Sequence, residues 1–444
     1  MTDSDLRGTQ GTGSVLSLSA IGKQECFLLG TDQIFRKTTK RHTNFSRCQY
    51  STTIGATPGV ANWPFGQTVL VTLNPQQMGD LLTNMYLRCT LPELQDWVEF
   101  HTVYGDQPGR GILQKATFRV DTQEIETIYT DWNIIRDELY LTAEQKDAMK
   151  NLVNGGQDVG TLPTSPIKSG PIELYVPLNF FFSNNSETYF PVCAILQQHI
   201  VVSLTFNPVQ FFSNTHTVVD YPGSQSQTTC GLGSFDIVCE QIILTPEERI
   251  SFQTGTKDIL IETVRPQPQL QIPNGGVPNI KNFLVPSIPV ESFHWFLRKA
   301  AFEQPTGDFL NRFNYSDTTS YSVTDQAMSP IMSDAVFFIN GAPQLGFMED
   351  SSRANPQSSY YFKYLEPNSA SLSSPTRNIY TYTFALHPTA GPLTGAIDFK
   401  TLTADKNFIN MSLMNTATDT YVMNMFYLGL VTLHFTGGFL TILQ

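Results

Sequence analysis

Charge is scarce in this chain. Asp, Glu, Lys and Arg make up 15% of its 444 residues, against roughly a quarter in an average soluble domain, so much of its surface is expected to be buried or covered by a partner. The charge that is present is mostly acidic, with 27 Lys and Arg against 39 Asp and Glu and a net charge of −12. That balance speaks against direct nucleic-acid binding, which draws its affinity from cationic side chains that replace condensed counterions. Cysteine is sparse too. Cys26, Cys48, Cys89, Cys193, Cys230 and Cys239 are scattered with no Cys-x-x-Cys spacing, which excludes a dense disulfide framework and points to reduced, cytosolic-type thiols. The opening residues, Met1-Thr-Asp-Ser-Asp-Leu-Arg-Gly8, lack the basic start and apolar core of a secretory signal. Synthesis and assembly in the cytosol are expected, with the sequons at Asn44, Asn184, Asn314 and Asn410 left unmodified.

Catalytic signatures are missing as well. The chain has no Gly-x-Ser-x-Gly elbow, no Gly-x-x-x-x-Gly-Lys phosphate loop and no His-Glu-x-x-His pair. His42, His101, His199, His216, His294, His387 and His434 never stand two or four residues apart, so metal-ligand spacing is absent. No cofactor or metal is expected, and the chain does not read as an enzyme. Phe426 to Leu443 is an uncharged stretch of 18 residues, long enough to cross a membrane as a helix. Thr432, His434, Thr436, Gly437-Gly438 and Thr441 interrupt it, and no basic residue flanks it. It is predicted to form two strands joined by a turn.

What the chain does have is period-two alternation. Met85, Leu87, Cys89 and Leu91 fall on one face of a strand and Tyr86, Arg88 and Thr90 on the other. Segments 116–120, 200–206 and 380–384 repeat the pattern, and Asn340-Gly341 after Ala335-Val-Phe-Phe-Ile339 supplies the positive φ of a tight hairpin. Many short strands parted by Gly, Pro, Asn and Ser indicate an all-β sandwich or barrel. Two helices interrupt the plan. Thr142-Ala-Glu-Gln145 reads as a capping box opening a helix to about Val153, and Thr245-Pro-Glu-Glu248 reads as a second, with Pro246 in the first turn. The second helix marks the domain boundary, and each side has room for about eight strands, the complement of one jelly roll. Loops at 155–171, 212–234, 304–330 and 351–377 are long enough to be exposed at one end or folded against a neighbour.

His199 and His294 lie beside strand patterns and read as satisfied sheet histidines. Trp132 and the pair Trp295-Phe296 read as core or interdomain packing, with carbohydrate stacking as the alternative. Arg36, Lys37, Lys40, Arg41, His42 and Arg47 form a compact basic segment inside an acidic protein. It is either a solvated strand end or a contact surface; a nuclear-import signal is the remaining reading.

The run Lys40-Arg41-His42-Thr43-Asn44-Phe45 resembles a segment near the start of the major capsid proteins of large nucleocytoplasmic DNA viruses. Blocks at 121–142, 175–199, 244–252 and 379–388, with Asp398-Phe-Lys400 further on, are similar to the same family in the same order. Ser183-Asn-Asn-Ser-Glu187 departs from the family pattern. The resemblance implies an all-β fold of two tandem eight-stranded jelly-roll sandwiches with short helical insertions: an arm at 1–24, a first jelly roll at 25–244, a linker helix at 245–257 and a second jelly roll at 258–444. It also implies a homotrimer forming pseudo-hexagonal capsomers that tile an icosahedral shell, in virions assembled in the host cytoplasm. The implied partners are neighbouring capsomers, minor capsid proteins and an inner membrane surface, with no direct nucleic acid. The basic segment is expected at the inner face. The rival readings are a β-sandwich glycan-binding or host-attachment protein and an enzyme on a jelly-roll scaffold.

Overall fold

The computed structural model describes residues 44–60, 62–93, 104–154, 171–184, 188–213, 230–273, 280–304, 308–347, 357–388, 394–414 and 419–443. The alternating segments become strands. In the first half these are β1 Ser46–Gly55, β2 Thr68–Leu73, β3 Leu81–Leu91, β4 Leu113–Val120, β5 Gln123–Tyr129, β6 Ile172–Pro177, the short β7 Phe190–Pro191, β8 Ile200–Phe206 and β9 Ser234–Ile243. In the second half they are β10 Lys257–Pro266, β11 Leu270–Ile272, β12 Ile280–Phe283, β13 Val290–Lys299, β14 Met332–Ile339, β15 Ala342–Phe347, β16 Ile379–Thr383, β17 Phe408–Leu413, β18 Tyr421–Thr436 and β19 Phe439–Leu443.

Each half builds two facing sheets. The first has β1-β9-β3-β6 and β2-β8-β4-β5; the second has β10-β18-β13-β16 and β12-β17-β14-β15. Setting aside β7, β11 and β19, which attach to the ends of longer strands, each half has the strand order of one jelly roll, and the two together make a double jelly roll. In each, the final principal strand lies between the first and third. Ser46 pairs with Ile243, and Lys257 with Phe435. The chain therefore enters β1 and leaves β9 at one end of the first sandwich, and the connections leaving β3 and entering β6 lie at the other.

The three longest helices among the described residues connect strands of this framework: α1 Thr130–Leu139 and α2 Ala143–Asn154 between β5 and β6, and α3 Pro246–Thr254 between β9 and β10. α2 opens with the expected reciprocal capping box, Thr142 N–H donating to Gln145 Oε1 (3.0 Å) and Gln145 N–H to Thr142 Oγ1 (3.4 Å). α3 begins at Pro246 as expected, but the Thr245 side chain makes no cap hydrogen bond. Its start is set instead by the proline ring and by Arg249 N–H donating to Thr245 O (3.0 Å).

The first core gathers the aromatic run after β6. Phe118 has the rings of Phe182 and Phe190 at 5.3 and 5.1 Å. In the second core Phe337 stacks on Tyr382 at 4.3 Å and meets Trp295 at 5.4 Å. Asn340 (φ 51°) and Gly341 (φ 81°) join β14 to β15, and Gly437 and Gly438 (φ 59° and 84°) join β18 to β19, so 426–443 is strand, turn and strand. No helix among the described residues is long and apolar enough to cross a membrane.

Two local expectations change. Segment 380–384 reads as a half-buried strand, yet Tyr380 and Thr381 are both buried, because the face away from its own core packs on the other sandwich. The loop at 304–330 is not a free loop over its described part: Arg312, Asn314, Tyr315 and Ser316 are buried, and Arg312 Nε donates to Phe211 O of the first sandwich (3.2 Å).

Candidate assembly interface

Of the basic segment, Arg36, Lys37, Lys40, Arg41 and His42 lie outside the described residues. Arg47 is described. It sits at the start of β1 with its side chain 71% exposed and faces Glu240 of β9 at 3.6 Å. The register that pairs Ser46 with Ile243 brings this strand start beside the entry to α3. α3 itself is anchored by Arg249 Nε, 2.9 Å from Asp80 Oδ1, a fully buried carboxylate that also accepts from Leu244 N–H. A buried ion pair thus pins the start of α3 to the first sandwich, at the end where Arg47 points outward.

Between the sandwiches runs a seam of aromatic and charged side chains. Trp132 of α1 lies 5.5 Å from the His294 ring and 6.1 Å from Phe426. His294 is fully buried, with Nε2 against Tyr140 Oη (3.1 Å) and Ser292 Oγ (2.9 Å) and Nδ1 against Thr381 Oγ1 (3.0 Å). Burial lowers its pKa to about 3, so it is neutral and serves as a hydrogen-bonding wedge. His199, by contrast, is exposed at the turn before β8, where its backbone N–H donates to Asp121 Oδ1.

Arginines lock the seam. Arg298 of β13 donates to Asp131 of α1 (3.0 and 3.2 Å) and pairs with Glu303 at 2.7 Å. Burial opposes its charge, but these two carboxylates hold the guanidinium protonated. Arg377, ahead of β16, meets Asp106 at 2.6 Å and Glu138 at 3.5 Å, both from the first sandwich. Glu126 of β5 accepts from Phe181 N–H (2.7 Å) and from Val264 N–H of β10 (3.2 Å). Burial outweighs the pull of those amides and raises its pKa to about 8. Burial also raises Glu262 to about 7, and burial with the nearby Glu262 charge raises Glu291 to about 8. No group of three or more His, Cys, Asp or Glu among the described residues could hold a metal ion. Arg298, Arg377 and His294 are held by these partners, and the seam works as an adhesive joint between the two sandwiches.

Two family models account for most of the sequence: "Major capsid protein N-terminus" matches residues 33–231, and "Large eukaryotic DNA virus major capsid protein" matches residues 248–421. The chain belongs to the major capsid protein family of large eukaryotic DNA viruses. This capsid protein is 26% identical to the major capsid protein of Pyramimonas orientalis virus over 318 residues, covering 69% of this chain and 68% of that one. It is 25% identical to the major capsid protein of Phaeocystis pouchetii virus over 280 residues (57% and 52% of the two chains). With capsid protein 1 of Acanthamoeba polyphaga mimivirus it shares 26% over 309 residues (64% and 48%). It spans about half the length of these last two relatives. In fold it is similar to the PBCV-1 virus capsid protein, with a TM-score of 0.70 at 17% identity over 93% of this chain and 100% of that one. It is also similar to the Faustovirus major capsid protein, with a TM-score of 0.65 at 11% identity over 97% and 98%.

Sequence reading finds the aromatics of the capsid protein's seam and misses its arginines. Arg298 and Arg377 stand beside apolar strands, and that embedding is the one local signal that a charge is buried and paired.

Proposed function

We propose that the chain works as a structural tile: a homotrimer whose two sandwiches per copy form a six-block, pseudo-hexagonal capsomer of an icosahedral shell. The observation that carries this is the strand order repeated in both halves, which makes the two sandwiches interchangeable as blocks of one ring. On this reading 1–24 is an arm, 25–244 and 258–444 are the two jelly rolls, and 245–257 is the linker between them. The exposed Arg47 and the α3 end support placing the basic segment Arg36 to Arg47 at the inner face, toward minor capsid proteins or an anionic inner membrane surface. The working surfaces are non-catalytic, and the site of action is the virion, assembled in the host cytoplasm.

Light scattering on the purified full chain tests this, with a mass of three times 49.6 kDa as the expected result. A stable monomer at micromolar concentration that forms no larger particles would overturn the capsomer reading for the isolated chain. Replacing Arg36, Lys37, Lys40 and Arg41 by Gln should leave trimers intact and impair particle assembly or inner-layer attachment. Protease access to these residues on intact particles would reverse the orientation.

A further inference from the structure

Within the chain, the outer face of β10-β18-β13-β16 is covered by the first sandwich. Cover comes from β5, through Glu126, and from the helix after it, α1, through Trp132 and Asp131. Among the described residues, none covers the corresponding sheet of the first sandwich, β1-β9-β3-β6, in this way. Its outward residues Arg47, Gln49, Ser51 and Thr53 on β1 and Arg88 and Thr90 on β3 are exposed. On β3 and the edge strand β6 of that face, Tyr86 and Tyr175 lie 6.1 Å apart, and the Arg88 guanidinium sits 5.8 Å from the Tyr175 ring.

The second sandwich also carries a helical segment after its fifth principal strand, β15. It runs through a helical turn at Gln357–Tyr360, a π-helical turn at Tyr361–Leu365 and a helical turn at Glu366–Ser369. Phe362 and Lys363 are buried, while Tyr360, Tyr364 and Leu365 stand 46%, 38% and 57% exposed, the two tyrosine rings stacked at 5.8 Å. Such π-helical turns recur where a helix presents side chains for function. An uncovered sheet face and an uncovered aromatic ridge are therefore the two halves of a contact that the chain already makes once with itself.

We propose that Tyr360, Tyr364 and Leu365 of one copy pack on the outer face of β1-β9-β3-β6 of the next copy, against Tyr86, Arg88 and Tyr175. This repeats between copies the cover that α1 supplies within one. The inference rests on the trimer reading and deepens it. Because ridge and sheet face are different surfaces, the contact is head-to-tail and stays finite only when the rotation closes a ring. Three copies, each with one internal and one external contact of the same kind, close it. Tyrosine and arginine are also the side chains that most often anchor protein interfaces, and the tyrosine rings offer Arg88 faces on which to rest.

Cysteine pairing in the full chain tests the contact. Light scattering first establishes whether the chain is trimeric, so that loss of assembly and loss of this contact are told apart. Arg88→Cys combined with Tyr364→Cys should then give covalent dimers and trimers on mild oxidation, and a mixture of the two single variants should give covalent dimers only. Leu70→Cys with Tyr364→Cys should give none, because Leu70, 63% exposed, lies on the other sheet of the first sandwich. A trimer that links through position 70, or fails to link through 88, overturns the proposal and leaves the trimer standing. In a second arm, Tyr360→Ser with Tyr364→Ser should weaken trimer association at least tenfold at an unchanged monomer melting temperature. Unchanged association would equally overturn it.

Discussion

The sheets β1-β9-β3-β6 and β10-β18-β13-β16 hold the same place in their sandwiches and are wired in the same order, yet their burial differs sharply. On β1 exposed and half-buried residues alternate along the whole strand, and the last residues of β3 alternate between buried and exposed. β13 is buried from Val290 through Arg298, and β18 from Tyr421 through Gly429. Topology is common to the two, so the difference records what lies on the outer face. A sheet with solvent outside keeps a polar alternate set, and a sheet covered on both sides fills it with Phe, Trp, Met and paired charges. Where a charge is retained in the covered sheet, as with Arg298, it has carboxylates within 3.0 Å.

Removing the lock should hurt the covered sheet most. Arg298→Ala strands Asp131 and Glu303 without their counter-ion, and we expect a loss of about 3–5 kcal/mol, read from chemical denaturation. Trp132→Ala empties the aromatic wedge of the seam and should cost about 3–5 kcal/mol. The matched change on the uncovered face, Tyr86→Ala, should stay within about 1 kcal/mol in the monomer. Equal losses at the two positions would mean that the outer faces do not differ in the way their burial indicates.

Acidity sharpens the same contrast. Glu126, Glu262 and Glu291 rise from 4.5 to about 8, 7 and 8, so the folded chain holds protons that the unfolded chain has released. Their contribution is fully present below about pH 4.5 and is lost as pH climbs through 7 to 8. His294 acts in the opposite sense. Its fall from 6.5 to about 3 gives stability that is present above pH 6.5 and lost on acidification toward pH 3. Above pH 6.5 His294 no longer opposes the three carboxyl groups, so the melting temperature should drop between pH 6.5 and 8, and Glu291→Gln should flatten that slope. A flat profile in the parent chain would remove these carboxyls from the account.

The smallest expected effects separate the two capping sequences. Thr142→Ala breaks a reciprocal cap and should cost about 1 kcal/mol, while Thr245→Ala removes a side chain that caps nothing and should change stability by only a few tenths of a kcal/mol. Thermal melts of the two single variants decide it.

These cases also show what sequence could reveal. Thr142-Ala-Glu-Gln145 is a local device, complete within one turn, and its outcome could be read from four residues. Thr245-Pro-Glu-Glu248 has the same spelling, but there only the proline and the backbone set the helix start. Alternation in Met85 to Leu91 predicts a one-sided strand correctly, because Arg88 and Thr90 on the far side stay exposed. At Tyr380 to Thr383 the same alternation misleads, since Thr381 is polar for the sake of His294 and not for water. The likeness of the two halves escapes sequence comparison because strand order depends on backbone pairing, and any alternating apolar set satisfies it. The candidate interface is legible only in part: Arg47 and the aromatics could be named from sequence, but Asp131, which meets Arg298, and Asp106 and Glu138, which meet Arg377, come from segments far away in the chain.

In both sandwiches the principal strand translated last, β9 or β18, is the one that fills the slot between the first and third. While a ribosome is still short of that strand, the nascent sheet has a gap flanked by two open edges, β1 and β3 or β10 and β13, and such edges accept any matching strand. A crowded polysome offers one from each neighbouring chain, so exchange of β9 or β18 between nascent copies is the characteristic misassembly this order invites. A slow passage through residues 244–257 would give β9 time to seat in its own sheet before β10 emerges, and the synthesis rate across α3 would then govern the yield of correctly folded chains.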